Sequence, residues 1–176
     1  MGASPRRRMG VDMNNLIQSY VGFDGRINRQ RWWIGIVVLI IVGLVLNWIL
    51  GMIMGTGGMM DLSQALDPAT MQKMAWQGLI VGLITAYPYL ALSIKRRHDR
   101  DNNGYDAAGL IALSLVFNLL QALGIVSGMA AMNGGFGLGS IIGLLLAVYG
   151  IYMLVQLGFL KGTAGPNSYG PDPLQG

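Results

Sequence analysis

Four long apolar stretches, roughly 32–54, 76–94, 107–126 and 138–160, alternate with short polar blocks along the chain, and none of them contains Lys, Arg, Asp, Glu or His. Each has about the 17–25 residues that a helix needs to cross a hydrocarbon core some 30 Å thick. The first, 23 residues long, would reach about 34 Å at 1.5 Å per residue. A water-soluble alternative would require four successive helices that are apolar on every side. The pattern therefore predicts an all-α, polytopic membrane protein, a four-transmembrane-helix bundle with short polar loops. It divides the chain into a flexible N-terminal segment (1–19), a single four-span membrane domain (20–173) and a turn-rich tail (161–176).

Local signals refine the elements. Asn28 is positioned as an N-cap for the first span, its side-chain oxygen able to accept from an early backbone N–H. Trp32 and Trp33 fall where aromatic side chains favour the membrane interface. Pro88 deprives the second span of one backbone donor and predicts a kink. Ser114, Asn118 and Gln121 share one face of the third span, and Tyr149, Tyr152 and Gln156 one face of the fourth. Such stripes turn toward a bundle interior, where amides bond across helices. Asn47 and Gln121 lie at similar depth, so a pair between spans one and three is expected. The small-residue spacings Gly51/Gly55, Gly78/Gly82, Gly124/Gly128 and Gly139/Gly143 predict close helix packing. Residues 55–75 and 127–139 are read as outer loops, and Lys95–Tyr105 as an inner one.

Charge sets the orientation. Of 12 Lys and Arg residues, only Lys73 falls on one side of a four-span layout. The other eleven lie on the opposite side, in the blocks before the first span, between the second and third, and after the fourth. The positive-inside rule then places both termini in the cytoplasm. With 53% apolar and 11% charged residues, the basic balance is that of retained membrane loops, and nucleic acid is not an expected partner. The chain has no cysteine, which excludes disulfides and thiolate chemistry. Arg6–Arg8 precede no short apolar core with a cleavage site, so the first span reads as uncleaved.

The polar blocks carry three motifs. Gly25, Arg26, Arg29 and Trp32 open the first span. His98, Asp99, Gly104 and Tyr105 lie between the second and third. Gly162, Gly165, Asn167, Tyr169, Gly170, Asp172 and Pro173 follow the fourth. In this order they resemble the bacterial inner-membrane family catalogued as domain of unknown function 805, across about residues 20–173. The resemblance implies a multi-pass protein of the bacterial inner (plasma) membrane, and it implies no activity. Lys95-Arg96-Arg97 and Asp106 depart from the family pattern.

An even number of crossings separates the motifs, so all three should emerge in one compartment. Arg26, Arg29, Arg96, His98, Asp99, Asn167, Tyr169 and Asp172 form the candidate cluster, with the tail folding back onto the His98 loop and Arg26. Arg26, Arg29, Arg96 and Arg97 are expected to reach anionic lipid headgroups. One His and no Cys or Glu make a thin catalytic toolkit. No catalytic residue, cofactor or metal is assigned. The expected function is a structural or ligand- or lipid-binding module. The alternatives are a small transporter or channel component for a neutral solute, or a membrane-bound enzyme using His98 and Asp99. The expected partners are the bilayer, its anionic headgroups, and a second copy or another membrane protein.

Overall fold

The computed structural model describes residues 20–57, 63, 67–126 and 137–175. The segment 1–19 and most of the outer stretch 127–139 lie outside the described residues. Four helices carry the fold: α1 (Arg29–Met54), α2 (Pro68–His98), α3 (Tyr105–Ala122) and α4 (Leu138–Leu154), the last continued by a π-helical turn, Val155–Phe159. All four, the fourth counted through Phe159, are long and apolar enough to cross a membrane. Among the described residues there is no strand, only an isolated bridge between Asn167 and Gly170.

The distribution of apolar surface is that of a bundle solvated by lipid. Val37, Ile40, Ile41 and Leu44 of α1 and Leu144, Leu145, Val148 and Ile151 of α4 are all exposed. Water would penalise that surface at about 25 cal/mol per Å². In a hydrocarbon core the penalty vanishes, and what remains is packing and polar pairing between helices. The buried core is correspondingly small. Ile27, Trp32, Leu92, Ala107, Leu110, Met153 and Leu157 form it, toward the end of the bundle where α1 begins and α2 ends.

Neighbouring helices pack in chain order, α1 on α2, α2 on α3 and α3 on α4; α1 also meets the π-helical turn. Local sequence explains the ends. Asn28 caps α1, its Oδ1 accepting from Arg31 N at 2.9 Å, and Gly55 closes the helix in the left-handed region with φ 70°. Asp67 caps α2 by accepting from Thr70 N, with Pro68 at the first position, where its missing N–H costs nothing.

Several sequence expectations need correction. At 31 residues, about 46 Å, α2 outreaches the hydrocarbon core, so Pro68–Ala75 is helix rather than loop. At its other end Lys95–His98 form the last helical turn rather than the start of a loop. Unbroken i,i+4 bonding and burial of this turn override the charge run that had marked a boundary. The third helix stops at Ala122, before Gly124 at φ 71°. Asn47 pairs not with Gln121 but with Gln77 of the adjacent α2, whose Nε2 donates to Asn47 Oδ1 at 3.1 Å and to its carbonyl at 2.7 Å. Equal depth said nothing of which helices are neighbours.

The spaced glycines are mixed. A Cβ on Gly82 would meet Leu115 Cδ2 at 3.4 Å and one on Gly143 would meet Phe117 Cζ at 3.7 Å, ordinary contacts between neighbouring helices, while Gly128 lies outside the described residues. A Cβ on Gly78 would meet nothing within 4 Å, and one on Gly51 would meet its own returning chain at Gly57. A tighter helix contact lies at Gly35, where a Cβ would come within 2.8 Å of Leu92 Cδ1. Gln77→Leu is expected to lower the unfolding free energy in detergent by about 0.6–1.7 kcal/mol, the range for interhelical amide bonds. Thermal unfolding followed by tryptophan fluorescence checks it.

Candidate functional site

At one end of the bundle α1 begins, α2 ends, α3 begins and α4 ends, so the three motifs converge there by topology. The connection from α2 to α3 is only Asp99–Gly104. It turns through Asp101 at φ 56° and Gly104 at φ 76°. A Cβ at Gly104 would also lie 3.0 Å from Ile94 Cγ1, so this position requires glycine twice over.

Asp99 is the centre. Its Oδ1 accepts from Arg26 Nη2 at 3.0 Å and Nε at 3.2 Å, and its Oδ2 from Arg96 Nη1. The side chains of Arg26, Arg96 and Asp99 are 1%, 0% and 5% exposed, so all three charges are removed from solvent. Removing ions from water is costly unless every polar atom finds a partner. Arg26 meets that condition. Its Nη1 donates to the carbonyls of Gly165 (2.8 Å) and Gly170 (3.2 Å), and its Nη2 also to that of Thr163 (2.8 Å). Together with Asp99 these use all five guanidinium N–H groups.

The end of the last helix supplies the other acceptors. A helix leaves its final carbonyls unpaired and carries partial negative charge there. Here side chains cap five in succession. Arg100 donates to Gln156 O, Arg96 Nε to Leu157 O (2.8 Å), and Trp33 Nε1 to Gly158 O (3.1 Å). Arg29 Nη1 reaches Phe159 O (3.0 Å), and Arg96 Nη2 reaches Leu160 O. Gly158 allows the approach, because a Cβ there would fall 2.8 Å from the Trp33 ring and 3.2 Å from Trp32.

The tail wraps the same centre. Thr163 N donates to Asp99 O at 2.8 Å, and Asn167 Nδ2 to His98 O at 2.8 Å. Asn167 and Gly170 exchange backbone bonds, Gly170 taking φ 130°. That turn lays the Tyr169 ring parallel to His98, centroids 3.8 Å apart and 8° between planes. His98 Nδ1 lies 3.2 Å from the Gly25 carbonyl, which can only accept, so Nδ1 carries a proton. Asp172 accepts from Gly165 N (3.0 Å) and Leu174 N (2.9 Å).

The structure thus brings together Arg26, Arg96, His98, Asp99, Asn167, Tyr169 and Asp172, with Arg29 at the margin on Phe159. Of the four arginines expected at lipid headgroups, three are corrected: Arg26, Arg96 and Arg97 are buried. Arg29 is exposed. Arg26 and Asp172 do not bond directly; they hold the carbonyl and the N–H of the same residue, Gly165. Sequence reasoning missed a second ion pair, Arg97 with Asp106 at 2.5 Å, and the role of Gln156, whose Oε1 takes Arg97 Nη1 at 2.9 Å and also Arg100. Asp106 had stood only as a departure from a pattern. Its opposite charge after the four cations Lys95, Arg96, Arg97 and Arg100 was the available signal.

The N–H groups of Leu174 and, next, of Gly165 hold the Asp172 carboxyl below its ordinary range. A folded pKa below the unfolded one of about 3.9 means stability present above that value and lost as pH falls through the folded pKa. Amide protection of residues 163–175 is therefore expected to be flat above about pH 5 and to decline below about pH 4. Asp172→Asn should remove the part of that decline specific to the tail. A tail whose protection is indifferent to acid would contradict this.

The family model described as "Protein of unknown function (DUF805)" matches residues 20–171. Inner membrane protein YhaI of Escherichia coli (strain K12) is 25% identical over 162 residues, covering 92% of this chain and 94% of its own. Inner membrane protein YhaH of the same strain is 22% identical over 161 residues, covering 90% and 92%. No solved structure matches the chain.

Proposed function

The chain belongs to the DUF805 family, and from that premise we propose that it is an integral protein of the bacterial inner membrane serving as a non-catalytic structural and binding module. Both termini face the cytoplasm, and the Arg26–Asp99–Arg96 knot ties the tail to the helix ends to form a fixed inner-face platform. The observation that carries the reading is the saturation of the knot. Asp99 is occupied by two guanidiniums, and Arg26 spends every donor on protein atoms. A centre that turns its charges on one another is organised to hold shape. His98 faces the Gly25 carbonyl and Asp99 the two arginines, which supports a structural role for both. The names of the two relatives support the location, and the cation asymmetry supports the orientation.

Two experiments test this. The chain lacks cysteine, so single substitutions report position cleanly. Lys73→Cys should react with an impermeant maleimide in intact spheroplasts, and Ser168→Cys only after lysis. Both reacting from one side would end the topology. Proteoliposomes should pass small neutral solutes no faster than empty liposomes, and a saturable flux would establish the transporter reading instead.

A further inference from the structure

Beside the knot, between the start of α1 and the chain leaving the last helix, lies an open cleft of about 710 Å³. Arg29, Trp33, Lys161 and Leu174 line it, along with Asp99 and Asp172. Resting on the binding reading above, we propose that this cleft is a headgroup site for an anionic phospholipid. Arg29 and Lys161 would bind the phosphate, and the apolar stripe below Trp33 would take an acyl chain.

Charge is the first argument. Both lining carboxylates are already engaged, Asp99 by two guanidiniums and Asp172 by two backbone N–H groups. Arg29 and Lys161 are exposed and have no carboxylate partner among the described residues. Arg29 spends one N–H group on Phe159 O, and its Nε and Nη2 make no hydrogen bond among those residues. With Arg26 and Arg96 behind them, four cations face two carboxylates, which leaves the cleft positive at short range.

Placement is the second argument, and it selects a lipid over a soluble anion. Trp33 forms one wall, its N–H fixed on Gly158 O and its ring against Phe159, with centroids 5.9 Å apart. Trp33, Val37, Ile40 and Leu44 form one stripe along α1, and Phe159, Val155 and Ile151 another along the last helix; all are exposed. A polar, positive mouth opening onto continuous apolar surface matches a molecule with a phosphate above two acyl chains.

The test is native mass spectrometry of the full chain in detergent, titrated with phosphatidylglycerol or with phosphatidylcholine of identical acyl chains. Each interfacial cation is worth about a 5-fold change in binding, so Arg29→Gln/Lys161→Gln should weaken phosphatidylglycerol retention by about 30-fold. Phosphatidylcholine should be little affected. Lys161→Gln alone removes an exposed side chain without a hydrogen bond among the described residues, so a folding failure of the double variant does not decide the matter; it should give about 5-fold. Arg31→Gln, an exposed cation outside the cleft, should retain wild-type binding.

Equal retention of the two lipids would overturn the assignment, as would an Arg31→Gln loss matching that of Lys161→Gln. Displacement of the lipid by millimolar inorganic phosphate would show a soluble-anion site and overturn it too. Because the measurement needs neither orientation nor flux, any of these results leaves the platform reading standing. A saturable flux would remove that reading whatever the lipid result.

Discussion

Asp99→Ala is expected to destabilise the protein by about 3–5 kcal/mol, the cost of breaking a buried ion pair by deleting one partner. The attraction lost is the smaller part. The larger part is what stays behind: two guanidiniums, from Arg26 and Arg96, with side chains 1% and 0% exposed and no counter-charge between them. Asp99→Asn should fare little better, since an amide keeps the shape but presents an NH₂ group or a neutral oxygen to two cations. The Arg97–Asp106 pair provides the internal comparison. Asp106 is 24% exposed, so water can replace part of what is lost, and Asp106→Asn is expected to cost about 1 kcal/mol. Thermal unfolding in detergent, followed by tryptophan fluorescence, orders the variants. Equal losses from Asp99→Ala and Asp106→Asn would mean that burial does not set the energetics of this site.

How much of this was legible beforehand follows from which forces act locally. Lipid solvation acts on each apolar stretch independently of its neighbours, so the four crossings could be read from length and charge exclusion. Capping is equally local, and Asn28 announced itself by type and position. Convergence of the polar motifs followed from counting crossings. The identity of contacts did not, because a contact depends on which helices are adjacent and how each is rotated. Asn47 therefore went to Gln77 instead of Gln121.

The same limit explains Arg26 and Arg96. Arginine at a predicted membrane boundary reads as a headgroup contact until the end of the last helix is seen to offer a row of unpaired carbonyls. Glycine was the least legible residue. Among 27 of them, spacing pointed to pairs such as Gly78 and Gly82, whereas the closest approaches include Gly35, Gly158 and Gly162, none of which belongs to those pairs.

Gly162→Ala is expected to release the tail while leaving the four helices formed. A Cβ at this position would overlap the Asp99 carboxyl group and lie 2.9 Å from the Asp99 carbonyl oxygen. The carboxylate cannot swing away, because two arginines hold both of its oxygens, so the chain from residue 162 onward must move. That movement would break the bonds from Arg26 to Thr163, Gly165 and Gly170 and from Thr163 to Asp99. Overpacking of about 1–3 kcal/mol corresponds to about a 5- to 150-fold rise in tail opening. Amide exchange over residues 163–175 should report that rise, with protection in α1–α3 unchanged.

A second substitution isolates the cause. In an Asp99→Ala background most of the overlap is gone, so the added effect of Gly162→Ala on tail exchange should shrink well below its effect in the native protein. If it is as large there as in the native chain, the obstacle is the backbone of residue 99. The carboxylate would then not be what excludes a side chain at position 162.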